Sequence, residues 1–261
     1  MTPVARPPLL SRRGRAVLLV VVLALVVTAC TGSRPRLADE DDPTSTTGPS
    51  TSTTAEPTVT EVAQANTDAI DVYADATTDT PAQRITAADA TAAPNIPLVF
   101  LVKDTTDDRL EVYLPVPPIG GTGWVRRADV SVSTVPFRIE VALAEHRVRV
   151  YERGRQVLDE PAGIGTTDRP QPGTGYYLKE LLQPPSADGP YGAYAYSLSG
   201  FTTDLASFAS GAGLVGIHGT SDTSVIGQDT PSGSIRLSND VIARLVDELG
   251  LPLGTPVEVV P

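Results

Sequence analysis

Alternating apolar and polar positions dominate the chain from about residue 58 onwards. Such alternation is typical of strands that bury one face, and a short continuous apolar run is typical of a strand buried on both faces. These patterns occur in segments 69–73, 98–102, 109–114, 137–141 and 147–151. The connection between the last two segments is short and contains His146. It predicts a hairpin with one polar face, in which His146 is a surface residue far in sequence from the other His.

One segment carries the spacing of a helix. Apolar residues recur every three or four positions in 241–249, and Gly250 follows as a C-cap signal. Residues 238–240 offer side-chain oxygens that would cap a helix starting near residue 241. Segment 255–260 then predicts a closing strand. Because strands far outnumber this helix, the predicted fold class is mainly β.

The most informative stretch runs from Gly216 to Asn239. Its first residues are β-prone and predict a short strand that Gly216 interrupts, with His218 at the end of that strand. A polar loop follows, and Pro-Ser-Gly-Ser at 231–234 predicts a tight turn into a second apolar strand.

This stretch resembles the YkuD-type catalytic domain of L,D-transpeptidases, which cross-link bacterial peptidoglycan. That family carries His-Gly-Thr, a loop, and then Ser-His-Gly-Cys followed by an apolar residue and Arg or Asn. Residues 218–220 match the first part, and Gly233, Ile235 and Arg236 match the second at the expected spacing. The resemblance implies a β sandwich with one or more short helices over residues 136–261.

Two positions depart from the family pattern. Ser234 stands where the family has its Cys nucleophile, and Ser232 stands where it has a His. The resemblance implies that His218 is the catalytic base, but a Ser hydroxyl needs such a base far more than a thiol does. A backbone carbonyl near Gly219 would orient the imidazole. A working Ser-His pair and an inactivated relative therefore remain as two alternatives.

The N-terminal residues predict export and a lipid anchor. Residues 1–29 combine a basic start with a short apolar run, as a signal peptide does, and the only Cys of the chain, Cys30, follows it. This run resembles a bacterial lipobox, which implies lipidation of Cys30 on the outer face of the cell membrane. The alternatives are an ordinary signal cut near Ala29 and an uncleaved anchor. Residues 30–57 are rich in Thr, Ser and Pro and predict a disordered tether.

Residues 58–134 predict a small β domain before the catalytic one. A Gly-rich turn at 120–123 leads into Trp124 and Val125, and this pattern resembles a bacterial SH3-like β barrel. We interpret Trp124 as a core residue rather than a platform for a ligand.

Charge and composition exclude several classes of function. The formal net charge is −11, whereas a nucleic-acid-binding surface needs a basic patch, so no nucleic-acid partner is expected. A single Cys excludes an intramolecular disulfide. The sequence contains neither a metal-ligand cluster nor a phosphate-binding loop, so we expect no metal and no cofactor.

Two functions fit the sequence. In the first, Ser234 attacks a carbonyl of a peptidoglycan stem peptide, His218 takes the proton, and backbone amides at Gly233 and Ser234 hold the oxyanion. Arg236 then either binds a substrate carboxylate or forms an ion pair that braces the turn. In the second, the protein binds stem peptides or a partner enzyme as an inactive scaffold lipoprotein. The aromatic stretch 189–196 either lines the groove or packs as an ordinary β surface.

Overall fold

The computed structural model describes residues 58–92, 95–201 and 215–261. The predicted signal peptide at 1–29, the lipidation site Cys30 and the tether at 30–57 lie outside the described residues. Within the described ranges, no helix is long and apolar enough to span a membrane.

Strands contain far more of the described residues than helices do, as predicted. The first seven are β1 (Thr60–Ala65), β2 (Ala69–Val72), β3 (Gln83–Thr86), β4 (Val99–Thr105), β5 (Arg109–Tyr113), β6 (Thr122–Arg126) and β7 (Val130–Val135). The other ten are β8 (Phe137–Ala142), β9 (Arg147–Glu152), β10 (Arg155–Pro161), β11 (Gly163–Gly165), β12 (Gly173–Leu182), β13 (Ala195–Leu198), β14 (Gly216–Thr220), β15 (Asp229–Thr230), β16 (Ile235–Ser238) and β17 (Pro256–Val260). The described helices are α1 (Ala87–Ala90), α2 (Asn239–Ala243), a π-helical turn (Arg244–Glu248) and 3-10 turns at Arg127–Asp129 and Thr223–Val225.

The first seven strands form a separate antiparallel arrangement. Five of them make one sheet in the order β6-β5-β4-β1-β7, and β2 pairs with β3 in a hairpin. Val125 faces the core, whereas its neighbour Trp124 is only partly buried, because successive side chains of a strand point to opposite faces. The prediction that Trp124 is a core residue therefore holds only in part. Its backbone pairs with Tyr73 and ties the hairpin to the sheet.

The remaining strands form one ten-stranded sheet around the long strand β12. The order is β10-β9-β8-β17-β12-β13-β14-β16-β11-β15, and β12 changes partner from β17 to β13 along its length. Residues from both halves of the sheet, such as Val150 and Ile217, belong to the same buried cluster. The two halves therefore pack face to face over one core, as the sandwich prediction requires.

The structure corrects the predicted end of strand β14. Gly216 begins β14 rather than interrupting it, and His218 is the middle residue of the strand rather than its last. A methyl group on Gly216 would lie 1.9 Å from the carbonyl oxygen of Tyr196. Glycine is present because the neighbouring strand approaches closely, not because the strand stops.

Helix α2 begins slightly earlier than predicted. Ser238 is its N-cap, and the Ser238 hydroxyl accepts a hydrogen bond of 3.3 Å from the Val241 amide. The next turn widens, since the Leu249 amide bonds to the Arg244 carbonyl. Gly250 then adopts φ +62°, which suits the end of a helix.

Buried polar contacts join strand β12 to the residues before β6. The Tyr177 hydroxyl donates to the Tyr113 carbonyl over 3.2 Å. Lys179 is 1 % exposed, and its ammonium donates to the carbonyls of Pro115 and Phe201. Burial lowers the pKa of Lys179 to about 8, because neither carbonyl repays the lost hydration in full.

Replacing Lys179 with Met should change how stability depends on pH. The folded-state pKa of about 8 lies below the ordinary 10.5, so the unfolded chain holds the proton at pH values where the folded chain has lost it. Raising the pH from about 8 to about 10 should therefore stabilise the wild type relative to Lys179→Met by roughly 1–3 kcal/mol. Urea unfolding of both proteins across this range measures the difference. A difference that stays constant with pH would contradict the buried ammonium.

Candidate active site

Two neighbouring parallel strands carry the predicted site residues. Strand β14 pairs with β16 so that His218 lies opposite Arg236. Ser234 comes two residues before Arg236, in the turn that leads into β16. The pairing thus places His218 beside Arg236, and the turn that carries Gly233 and Ser234 leads directly into the strand next to His218.

His218 is buried and held in one orientation. Its side chain is 2 % exposed, and its Nδ1 lies 2.7 Å from the Gly219 carbonyl oxygen. A carbonyl can only accept, so Nδ1 carries the proton and Nε2 keeps its lone pair. This contact agrees with the expected carbonyl near Gly219. Burial, together with the positive charge of Arg236, lowers the pKa of His218 to about 4, so the imidazole is neutral at neutral pH.

Tyr191 packs against the His218 ring. The two ring centroids are 4.9 Å apart and the planes meet at 86°, an edge-to-face contact. Tyr191 is itself only 4 % exposed. The aromatic stretch at 189–196 therefore contributes directly to the burial of the predicted base, which its sequence alone did not predict.

The turn that carries Ser234 is held by the last residue of β11 and the chain that follows it. The Gly165 amide donates to the Ser234 carbonyl over 3.0 Å, and the Thr167 amide donates to the Ser232 carbonyl over 3.1 Å. A methyl group on Gly165 would lie 2.2 Å from the Ser232 carbonyl oxygen. The position of the turn thus depends on glycine at residue 165.

Polar groups in this turn remain available for a ligand. Among the described residues, the Gly233 amide has no hydrogen-bond acceptor. The hydroxyls of Thr230 and Ser232 are buried, and neither has a hydrogen-bond partner within the part of the chain that the structure describes. Buried polar atoms without partners are rare and destabilising, so a bound molecule or water would satisfy them.

Arg236 is a half-buried cation beside the base. It forms no ion pair with any described carboxylate, although the negative charge of Asp222 acts on it at longer range. Burial lowers the pKa of Arg236, which remains charged at neutral pH. The arrangement leaves its guanidinium able to bind an anion. It does not favour the alternative in which Arg236 braces the turn through an ion pair.

His146 lies apart from this cluster. It is partly exposed and forms a 3.0 Å contact with Asp229. The interpretation of His146 as a surface residue agrees with that exposure.

Sequence reasoning missed the role of Asn239. It was predicted only as one of three possible helix caps, but Ser238 supplies the cap. The Asn239 carboxamide instead bonds to Ala187 and Ala193 in the segment before β13. No local signal predicts such a contact, because the partners are about fifty residues away in the chain.

Comparison with known proteins identifies the family. The family model of the L,D-transpeptidase catalytic domain (YkuD) matches residues 136–259. A Bacillus licheniformis protein that carries the name L,D-transpeptidase YkuD is 33% identical over 128 residues, which cover 49% of this chain and 68% of that protein.

Solved structures of L,D-transpeptidases also match, with low scores. One from Xylanimonas cellulosilytica is 19% identical with a TM-score of 0.36, and the match covers 48% of this chain and 60% of the other. One from Mycobacterium smegmatis is 16% identical with a TM-score of 0.38, covering 63% and 90%. The match thus spans less than two thirds of the Xylanimonas chain. On the identity and coverage of the Bacillus relative, together with the matching family model, the chain belongs to the L,D-transpeptidase (YkuD) family.

Proposed function

We propose that the protein is an exported L,D-transpeptidase-like acyltransferase that acts on peptidoglycan stem peptides through Ser234. The observation that carries the proposal is the neutral, oriented imidazole of His218, which lies opposite Arg236 on the strand next to the one that Ser234 leads into. A hydroxyl nucleophile needs a neutral imidazole held in one orientation as its base.

The reaction would proceed in two acyl transfers. The Ser234 Oγ attacks a peptide carbonyl carbon while its proton passes to His218 Nε2, and the peptide C–N bond then breaks as that proton moves to the leaving amine. The amine of a neighbouring stem attacks the resulting ester and gives a proton to His218. The ester C–O bond breaks, and Ser234 recovers its proton. Amides at Gly233 and Ser234 would stabilise both oxyanions.

Arg236 would hold the substrate in register. Its guanidinium has no ion-pair partner among the described residues and lies beside the base. A stem peptide carries free carboxylates, which a guanidinium binds through two parallel hydrogen bonds. A bound carboxylate would also offset the repulsion between Arg236 and a protonated His218.

A second candidate function is a scaffold that binds stem peptides without chemistry. The burial that lowers the pKa of His218 to about 4 favours it, because protonating His218 then costs about 3 kcal/mol more than protonating a solvated imidazole. A thiol tolerates a weak base, since it is already partly ionised near neutral pH, but a hydroxyl does not. The site thus retains geometry that suits a Cys nucleophile better than Ser234.

The family resemblance of residues 58–134 leads to a further proposal. We propose that the antiparallel sheet β6-β5-β4-β1-β7 is an SH3-like module placed before a catalytic domain at 136–261. The strand that contains Gly123, Trp124 and Val125, together with its antiparallel neighbour β5, supports this proposal.

Restoring the thiol separates the two functions. In a Cys30→Ala background, Ser234→Cys has one thiol, and we expect a β-lactam acylating probe to modify it at least tenfold faster than Ser234 in the parent. Adding His218→Ala should remove most of that gain, because His218 stabilises the thiolate. Ser232→Cys is the matched control, since it places a thiol in the same turn but off the expected position. Intact-mass spectrometry measures each adduct.

The outcomes of this acylation experiment distinguish the enzyme from the scaffold. A slow but stable adduct at Ser234 in the parent protein supports the enzyme. Muropeptide binding without an adduct in the parent, together with rapid acylation of Ser234→Cys, supports the scaffold. A folded Ser234→Cys protein that stays inert and binds no muropeptide contradicts both.

The titration of His218 tests the base directly. With His146→Gln for assignment, the remaining imidazole signal should shift with a midpoint near pH 4 in an NMR titration. Since the folded pKa lies below the ordinary 6.5, the wild type should lose stability relative to His218→Gln as the pH falls from 6.5 to about 4. A midpoint near 6.5 would mean that His218 is solvated and a stronger base than the structure indicates.

We also propose that the protein is a lipoprotein on the outer face of the cell membrane. The lipobox-like run that ends at the only Cys supports this proposal. Replacing Cys30 with Ala should release the protein from the membrane fraction or stall its processing, because acyl chains on this residue would provide the anchor. Fractionation with mass spectrometry of the N-terminal peptide measures both effects. Unchanged fractionation and an unmodified N-terminus would exclude the lipid anchor.

A further inference from the structure

The side chain of Asn239 connects two segments that flank the candidate active site. Its Oδ1 accepts a 2.9 Å hydrogen bond from the Ala193 amide, and its Nδ2 donates a 2.9 Å hydrogen bond to the Ala187 carbonyl. One carboxamide therefore binds both ends of segment 187–193. Tyr191, which packs on His218, lies between these two anchor points.

The helix does not need this side chain. Asn239 is the first residue of α2, but the Ser238 hydroxyl accepts the capping hydrogen bond from Val241. Residue 239 could therefore carry any residue that favours the first helical turn. The specific requirement for a carboxamide comes from segment 187–193.

The Asn239 carboxamide packs so tightly against Gly192 and Gly219 that neither position can carry a side chain. A methyl group on Gly192 would lie 2.2 Å from Asn239 Oδ1 and 2.3 Å from the Gly219 carbonyl carbon. A methyl group on Gly219 would lie 2.5 Å from the same Oδ1. Gly192 also has φ +63°, which glycine adopts most readily. The start of helix α2, segment 187–193 and strand β14 thus meet at Asn239. This contact sets where segment 187–193 lies on β14.

From these contacts we propose that Asn239 is a positioning residue that holds Tyr191 over the His218 imidazole and keeps water from it. The Gly219 amide, which follows His218, donates to the Tyr194 carbonyl over 3.0 Å, so the residue directly after this segment is also tied to β14. Tyr191 and His218 are both almost fully buried although they lie next to a polar turn. Without the carboxamide, segment 187–193 keeps the 3.3 Å hydrogen bond from the Ser221 hydroxyl to the Asp188 carbonyl but loses both bonds to Asn239. The part of the segment that carries Tyr191 is then released, and the ring can move away.

The groups that act on His218 are few. Arg236 lies opposite it on β16, Tyr191 packs on its ring, and Asp222 acts on Arg236 from the loop after β14. Replacing Asn239 with Ala changes none of these charges. A change in the protonation of His218 would therefore report solvent access rather than a new electrostatic partner. The effect of this solvent access on catalysis rests on the proposed function, whereas the solvent access itself does not.

The experiment is an NMR titration of the full chain with labelled imidazoles, which is simple because the sequence contains only two His. We expect Asn239→Ala to raise the His218 midpoint by at least one pH unit towards its ordinary value. Tyr191→Ala should raise it similarly, and the double variant should exceed neither by much, because both changes remove the same cover. Ser238→Ala is the matched control: it removes the cap of the same helix, leaves segment 187–193 tied, and should leave the midpoint unchanged.

The outcomes distinguish this role from general destabilisation. The proposal is wrong if folded Asn239→Ala keeps the wild-type midpoint, or if Ser238→Ala raises the midpoint as much. If Asn239→Ala does not fold, Asn239→Ser replaces it, since its hydroxyl is too short to reach both anchor points. A raised midpoint in a protein whose Ser234→Cys form stays inert supports the positioning role and rejects acyl transfer. An active Ser234→Cys form with an unchanged midpoint rejects only the positioning role.

Discussion

The parallel pairing of β14 with β16 is the contact on which the candidate site depends. It sets His218 opposite Arg236 and so brings a base and a cation together at the strand that the Ser234 turn leads into. A shift of one residue in this register would turn one strand's side chains to the other face and separate these groups. Close approach at Gly216 brings β14 against β13, and close approach at Gly165 brings β11 against the turn that leads into β16.

Desolvation is the property that this arrangement imposes on the base. The carbonyl of Gly219 selects the tautomer, and Tyr191 and the surrounding core exclude water from the ring. Burial lowers the pKa of His218, so Nε2 carries no proton at neutral pH and is able to accept one. The same burial makes the protonated imidazole unfavourable. A site built in this way suits a nucleophile that ionises easily, and Ser234 ionises far less readily than a thiol. Whether Ser234 reacts therefore depends on the strength of His218 as a base.

The two sheets are connected by polar as well as apolar contacts. Lys179 reaches the carbonyls of Pro115 and Phe201 from within β12, while Val62 and Val99 pack near Leu253. A buried ammonium is destabilising unless its donors are satisfied, so this contact favours one geometry at the junction over looser ones. The residues before β8 thus pack on the sheet that carries the candidate site.

The sequence alone determined the mainly β class and the helix after Ser238, and it supplied the candidate site residues. Strand alternation and capping act over a few residues, and His-Gly-Thr with Gly-Ser-Ile-Arg is a local pattern, so both can be found without coordinates. Only the tertiary structure decided that His218 lies inside its strand, that Tyr191 covers it and that Asn239 ties segment 187–193. Those facts depend on contacts between residues far apart in the chain. Burial, and with it the basicity of His218, exists only once these segments have packed together.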